Sequence, residues 1–239
     1  MLILDQISVK RGAVVTLQDI SLSLASSKTL AVVGESGAGK STLINAILGL
    51  VRCASGQISW NAAPVRDSRP TLVMQEPRNA FNPRMSLRRS VMEPLRGAAI
   101  DPNRLGRLCG GLEIAPDILD RRPTEVSVGQ AQRVGILRAL IAAPQLVLFD
   151  EPLSALDAAT QKHTARLIAQ MQREERFAAL IVTHDLGYAA AHSDNVAVLR
   201  AGRIEEITPS QDFTHAPQTA YGRTLRDAAF ALGALEQVA

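Results

Sequence analysis

Gly34-Glu35-Ser36-Gly37-Ala38-Gly39-Lys40-Ser41 separates two stretches of different character. Before it, Thr29 to Val33 is a short apolar run that reads as a buried strand. After it, Lys40 to Leu50 reads as a helix with Leu43, Ile44, Ile47 and Leu48 on one face. The eight residues fit the pattern G-x-x-x-x-G-K-[ST], set between a strand and a helix. Glycines there let main-chain N–H groups wrap a phosphate without Cβ collisions. The helix points its positive end at the anion. Lys40 adds a point charge for the β- and γ-phosphates, and Ser41 offers an oxygen to Mg2+. Thr42 completes the candidate nucleotide-binding set, which runs from Gly34 through Thr42.

Working outward, strands alternate with helices. Leu2 to Val9, Ile20 to Leu24, Gly56 to Trp60, Thr71 to Met74, Leu146 to Phe149, Leu180 to Thr183 and Val196 to Leu199 read as strands. Ala201-Gly202 makes a hairpin turn into Arg203 to Ile207. Val128 to Ala142 and Ala158 to Glu174 read as helices, as does a tail from Pro217 to Leu235. Between Pro77 and Thr124, recurrent prolines break short helical pieces such as Leu87 to Leu95. The alternation predicts an α/β fold with a largely parallel sheet covered on both faces.

Composition narrows the function classes. The 239 residues are 46% hydrophobic, 21% charged and 3% aromatic, with a net charge of +3. Few aromatics and dispersed arginines argue against nucleic acid as a partner. The start, MLILDQISVK, has no signal-peptide pattern, and no run reaches the length of a membrane span. Cys53 and Cys109 lack metal-type spacing and read as packed thiols; a disulfide between them is not ruled out by sequence.

Further chemistry clusters downstream. Leu146-Val-Leu-Phe-Asp150-Glu151 sets two acids at the end of a buried strand, where ligands bind in open α/β sheets. Asp150 suits Mg2+ through its water shell, and Glu151 suits orienting or deprotonating a water; alone, such a pair also reads as a helix cap. Gln75 follows another strand, where it is placed to sense metal and water. His184, in Ile-Val-Thr-His-Asp, is placed to reach a γ-phosphate, although a lone histidine is as readily structural.

These residues, with Val126-Ser127-Val128-Gly129-Gln130 and Ser154-Ala-Leu-Asp157, resemble the ATPase subunits of ABC transporters over nearly the whole chain. The resemblance implies a P-loop NTPase with a mostly parallel core sheet, an N-terminal antiparallel β subdomain and an inserted helical subdomain. On that basis the catalytic core spans 1–76 and 125–210, the helical insert 77–124 and a helical tail 211–239. It also implies ATP and Mg2+ as cofactors, with Lys40, Gln75, Glu151 and His184 catalytic and Ser41, Gln75 and Asp150 at the metal. Ser127, Gly129 and Gln130 would serve the nucleotide of a second ATPase subunit docked head to tail. The insert would receive transmembrane permease subunits at the cytoplasmic face of the membrane, with an extracytoplasmic substrate-binding protein as an indirect partner.

Gln75-Glu-Pro-Arg-Asn-Ala-Phe-Asn-Pro-Arg84-Met-Ser, Glu93-Pro94-Leu95 and the tail from Phe213 to Leu225 are similar to segments of the dipeptide, oligopeptide and nickel importer ATPases. This implies uptake of a peptide, nickel or a metal chelate. Two departures stand out. Val128 replaces the usual glycine of the signature, which favours a heterodimer with an intact partner over a homodimer. No aromatic precedes the second strand for adenine to stack on. Arg11 has two readings there, a stacking guanidinium or a solvated turn residue.

Overall fold

The computed structural model describes residues 1–231. Its strands are β1 (Leu2–Arg11), β2 (Val14–Leu24), β3 (Thr29–Val33), β4 (Cys53–Trp60), β5 (Ala63–Pro64), β6 (Thr71–Val73), β7 (Leu146–Asp150), β8 (Ala178–Thr183), β9 (Asn195–Arg200) and β10 (Arg203–Pro209). Its helices are α1 (Lys40–Ile47), α2 (Leu87–Met92), α3 (Pro102–Gly111), α4 (Val128–Leu140), α5 (Ala158–Glu175), α6 (Leu186–His192), α7 (Ser210–His215) and α8 (Ala220–Ala231). The chain divides into two compact units, one of residues 1–70 and 178–239, the other of 71–177.

The first unit carries an antiparallel sheet in the order β2-β1-β4-β5. Register explains its irregular spacing. Leu4 pairs with Leu22 and Ile7 with Ile20, so a three-residue step on β1 must keep both apolar residues on the buried face. A bulge does this at Gln6, with φ 48, and Asp19, with φ 50, answers it on β2. The same unit holds the parallel neighbours β9, β3 and β8, with β10 antiparallel to β9. Every residue of β3 and β8 is buried, so both read as unbroken apolar runs instead of alternating ones. At Ala201 and Gly202, φ values of 46 and 77 form the β9–β10 hairpin turn.

The second unit pairs β6 and β7 in parallel, Val73 opposite Phe149. Short helical turns at Pro77–Ala80, Glu93–Leu95, Pro116–Asp120 and Pro123–Glu125 precede, separate and follow α2 and α3, each opening at or next to a proline. Arg104 of α3 closes the end of α4 by donating to the carbonyls of Leu140 at 2.6 Å and Ile141 at 3.1 Å. It also pairs with Glu175 of α5 at 2.7 Å, and Arg107 pairs with the same carboxylate. Burial works against ionised Glu175, but the two guanidiniums outweigh it and hold the carboxyl below its usual range. Glu175→Gln is therefore expected to lower stability by about 2 kcal/mol at pH 7. Because the folded pKa is depressed, that contribution is complete above the ordinary carboxylate range and is lost as pH falls through the folded value. The gap between parent and variant should close below about pH 4 in urea unfolding. A gap that stays constant with pH would contradict this role.

Several bounds differ from the sequence expectation. Strand β2 starts at Val14, not Ile20, because Val14 and Val15 pair with β1 while staying exposed. Helix α1 ends at Ile47, not Leu50; Leu48 caps it and Gly49 turns away at φ 71. The helix expected over Leu87 to Leu95 stops at Met92 before a tight turn containing Pro94. Helices α6 and α7 had no counterpart in the sequence reading. In the tail, α8 begins at Ala220; the part of the expected helix beyond Ala231 lies outside the described residues. Cys53 and Cys109 are free thiols, and burial pushes both above the ordinary cysteine value.

Candidate active site

In the first unit the loop 34–39 runs directly from β3 into α1. Gly39 is the N-cap of α1 at φ 112, and having no side chain it leaves the helix start without a capping side chain of its own. A Cβ on Gly39 would lie 2.8 Å from Leu17 Cδ2, and one on Gly34 would lie 2.1 Å from the Leu199 carbonyl oxygen. Both positions therefore demand glycine, since β2 and β9 press against the loop. Gly202 N–H donates to the Ala38 carbonyl at 2.9 Å, which ties the loop to the hairpin turn. Lys40 is buried and arches back, donating through Nζ to the carbonyls of Gly34 at 2.8 Å and Glu35 at 3.1 Å. A glycine-capped helix start with an ammonium over the loop that precedes it is the arrangement a phosphate cradle requires. Glu35, Ser36 and Ser41 are exposed along it, and Thr42 is buried in the helix.

Register brings His184 to the same sheet end. Val33 pairs with Thr183 across parallel β3 and β8, so Gly34 and His184 are the next residues on adjacent strands. Asp185 after it is the N-cap of α6, accepting from Tyr188 N–H at 2.9 Å. Arg11 lies at the exposed end of β1, opposite Val14 in the hairpin.

In the second unit the paired strands β6 and β7 bring another group together. Val73 faces Phe149, so Gln75 and Glu151 each sit two residues beyond a paired position, with Asp150 between. Glu151 is buried and holds φ 47, a conformation a non-glycine residue adopts at a cost of about 1 kcal/mol or more. Its carbonyl accepts from Ser154 Oγ at 3.1 Å, which helps fix the turn.

The same unit carries the signature segment. Ser127 is the N-cap of the 13-residue α4, its Oγ accepting from Gln130 N–H at 3.1 Å. Gln130 Oε1 accepts in return from Ser127 N–H at 2.9 Å, a reciprocal capping box. A Cβ on Gly129 would meet Thr160 Cγ2 at 2.9 Å, so glycine is required there. Ser127, Val128, Arg133, Asp157 and His163 line a 540 Å³ cavity over this helix start. Val128 is half-buried in that wall.

A glycine-rich loop between a buried parallel strand and a helix in the first unit, and a buried strand ending in two acids in the second, are the parts of a P-loop nucleotide-binding fold. The ABC transporter family matches residues 17–154. The chain is 35% identical over 227 residues to the oligopeptide transport ATP-binding protein OppF of Escherichia coli, covering 87% of this chain and 67% of that protein. It is equally 35% identical to a putative peptide import ATP-binding protein of Brucella ovis, covering 89% and 72%. Among solved structures, cbiO1 from Clostridium perfringens, part of the ABC transporter complex cbiONQ, superposes with a TM-score of 0.80 at 23% identity, covering 97% of this chain and 95% of that one. The ATP-binding cassette MJ0796, a dimer bound to ADP and Pi, superposes at 0.76 and 24% identity, covering 88% and 99%. The chain belongs to the ABC transporter family. It is an ATP-binding, ATP-hydrolysing subunit of an importer. Among the described residues, no helix is long and apolar enough to cross a membrane.

Proposed function

We propose that this ATPase drives uptake of peptides, or of nickel or a metal chelate, through transmembrane permease subunits, working as one half of a head-to-tail ATPase dimer at the cytoplasmic face of the membrane. The observation that carries the cargo class is the likeness to oligopeptide and peptide import subunits over 87% or more of the chain. Affinity purification from membranes, with mass spectrometry of the captured proteins, tests it. A permease pair, a second ATPase subunit and, more loosely, a substrate-binding protein are expected. Recovery of the chain without any permease contradicts the reading.

Within the site, residues 34–42 hold the nucleotide phosphates. Glu151 takes the proton of the attacking water, and His184 and Gln75 steady the γ-phosphate and that water. Ser41, Gln75 and Asp150 are hard oxygen donors, a set that suits Mg2+, which keeps several of its waters. Bound there, Mg2+ would neutralise phosphate charge. Arg11 lies beside the base, next to exposed Val14 in place of an aromatic ring.

The signature cavity serves the nucleotide of the second subunit through the start of α4, with Ser127, Gly129 and Gln130 facing it. Val128 supports an unequal pair of sites, since a branched side chain in that wall narrows the approach of a phosphate to the helix N-terminus. A different ATPase subunit with an intact signature is therefore the favoured partner. Val128→Gly is expected to raise ATP turnover of the assembled transporter roughly two- to fivefold. An unchanged steady-state rate would contradict the unequal pair.

A further inference from the structure

In the second unit, helix α4 is tied at both ends to the segment that follows Gln75. In its last turn, Arg138 donates to the Ala80 carbonyl at 2.7 Å, the Ser90 carbonyl at 3.1 Å and the Glu93 carboxylate at 2.8 Å. Midway along the helix, Phe81 Cζ lies 4.0 Å from where a Cβ on Gly135 would stand. Pro77 and Phe81 are buried on either side of Arg78. The short turn Pro77–Ala80 is therefore a fixed base, held against the helix by packing and by the Arg138 bonds.

From that base Arg78 reaches back to the entry of the helix. Its Nη2 donates to the Val126 carbonyl at 2.6 Å, across 48 residues of sequence. Val126 directly precedes Ser127, the N-cap, whose carbonyl accepts the first helical bond, from Ala131 N–H at 2.9 Å. The Val126 carbonyl therefore lies one residue outside the helical ladder. A partly buried main-chain acceptor needs a partner from elsewhere, and the guanidinium supplies a charge-assisted one. The capping box between Ser127 and Gln130 fixes the shape of the helix start, but both its bonds are local. The Arg78 bond fixes where that start sits relative to the neighbouring segment.

We propose that Arg78 is a positioning residue for the signature segment: by holding the Val126 carbonyl it sets Ser127 and the start of α4 for the nucleotide of the second subunit. This rests on the reading that Ser127, Gly129 and Gln130 serve that nucleotide. Arg78 is otherwise exposed, so its bond does little for the core of the unit. Hydrogen bonds from a helix start to a phosphate weaken steeply once distance or angle drifts. Without Arg78, Val126 and Ser127 keep their capping box but lose the tie that holds them in place.

Equilibrium dialysis of labelled MgATPγS, a slowly hydrolysed analogue, against the assembled transporter tests this. Lys40→Ala in this chain disables its own phosphate loop, so the bound analogue is held by the second subunit's loop and this chain's signature. In that background Arg78→Met, which keeps the apolar stem and removes the donor, should raise the Kd about fivefold. Ser127→Ala should raise it as well, and the two changes together should be no worse than Ser127→Ala alone, because Arg78 acts through Ser127. In the isolated chain with Lys40 intact, Arg78→Met should bind MgATP as the parent does. A merely structural role would lower the melting temperature and leave the Kd of the assembled transporter alone. An unchanged Kd in Arg78→Met beside a raised one in Ser127→Ala would overturn this inference alone. Losses that multiply in the double variant, or weakened binding in the isolated chain, would also overturn it. Absent binding in the Lys40→Ala background, or binding unmoved by Ser127→Ala, would contradict the reading that this signature serves a second subunit, and the inference would fall with it.

Discussion

Lys40→Ala is expected to weaken MgATP binding about a hundredfold and to remove measurable hydrolysis. The argument starts from where the side chain lies. Lys40 is buried at the first position of α1, and its Nζ hangs over the loop on two carbonyls of that loop. An ammonium held there is already desolvated, so a phosphate arriving in the cradle meets a charge that water does not screen. A charge-assisted hydrogen bond of this kind contributes about 1.5–3 kcal/mol, and each 1.4 kcal/mol is tenfold in affinity. Alanine also leaves the Gly34 and Glu35 carbonyls without their donor, which loosens the shape of the loop. The helix N-terminus and the main-chain amides remain, so residual weak binding should survive at high nucleotide concentration. Isothermal titration with MgATP measures the effect, and a Kd within twofold of the parent would contradict it.

Glu151→Gln should separate binding from chemistry. Hydrolysis is expected to fall about a hundredfold or more, while nucleotide affinity stays near the parent value. Glutamine fills the same space and can keep the strained turn at the end of β7, where Glu151 sits at φ 47 with its carbonyl held by Ser154. It cannot take a proton from water. Phosphate release in a single turnover reports the loss, and a nucleotide-binding assay on the same sample shows that the site is intact. A variant that hydrolyses at half the parental rate would remove Glu151 from the role of base.

Residues that act through local geometry were the legible ones. Thr29 to Val33 is a strand with the same bounds in sequence and structure, because an unbroken apolar run followed by glycine admits few other conformations. The start of α1 at Lys40 was equally plain from the glycine before it. The beginning of β2 was not. Val14 and Val15 are exposed, and the bulge around Asp19 breaks the alternation that would have revealed a strand. Helix α6 has seven residues and a single visible start signal, Asp185, too short a stretch for a periodic pattern.

The site shows the same divide. The loop 34–41 and the pair Asp150-Glu151 announce themselves because neighbouring residues share one task. The placement of His184 beside the loop depends on strand register, Val33 against Thr183, which no local pattern encodes. Tyr221 lies within the tail segment from Phe213 to Leu225, but its packing against β3 and β9 joins residues distant in sequence, which no local pattern encodes.

The most direct measurement is phosphate release from labelled MgATP by the transporter reconstituted with this chain, its permease and its partner ATPase. With the parent chain, hydrolysis should proceed and rise when cargo is supplied. With Lys40→Ala and Asp150→Asn combined in this chain, release should fall to the level set by the partner subunit's own phosphate loop. Equal release from the parent and the doubly substituted chain would contradict the claim that this chain binds and splits ATP.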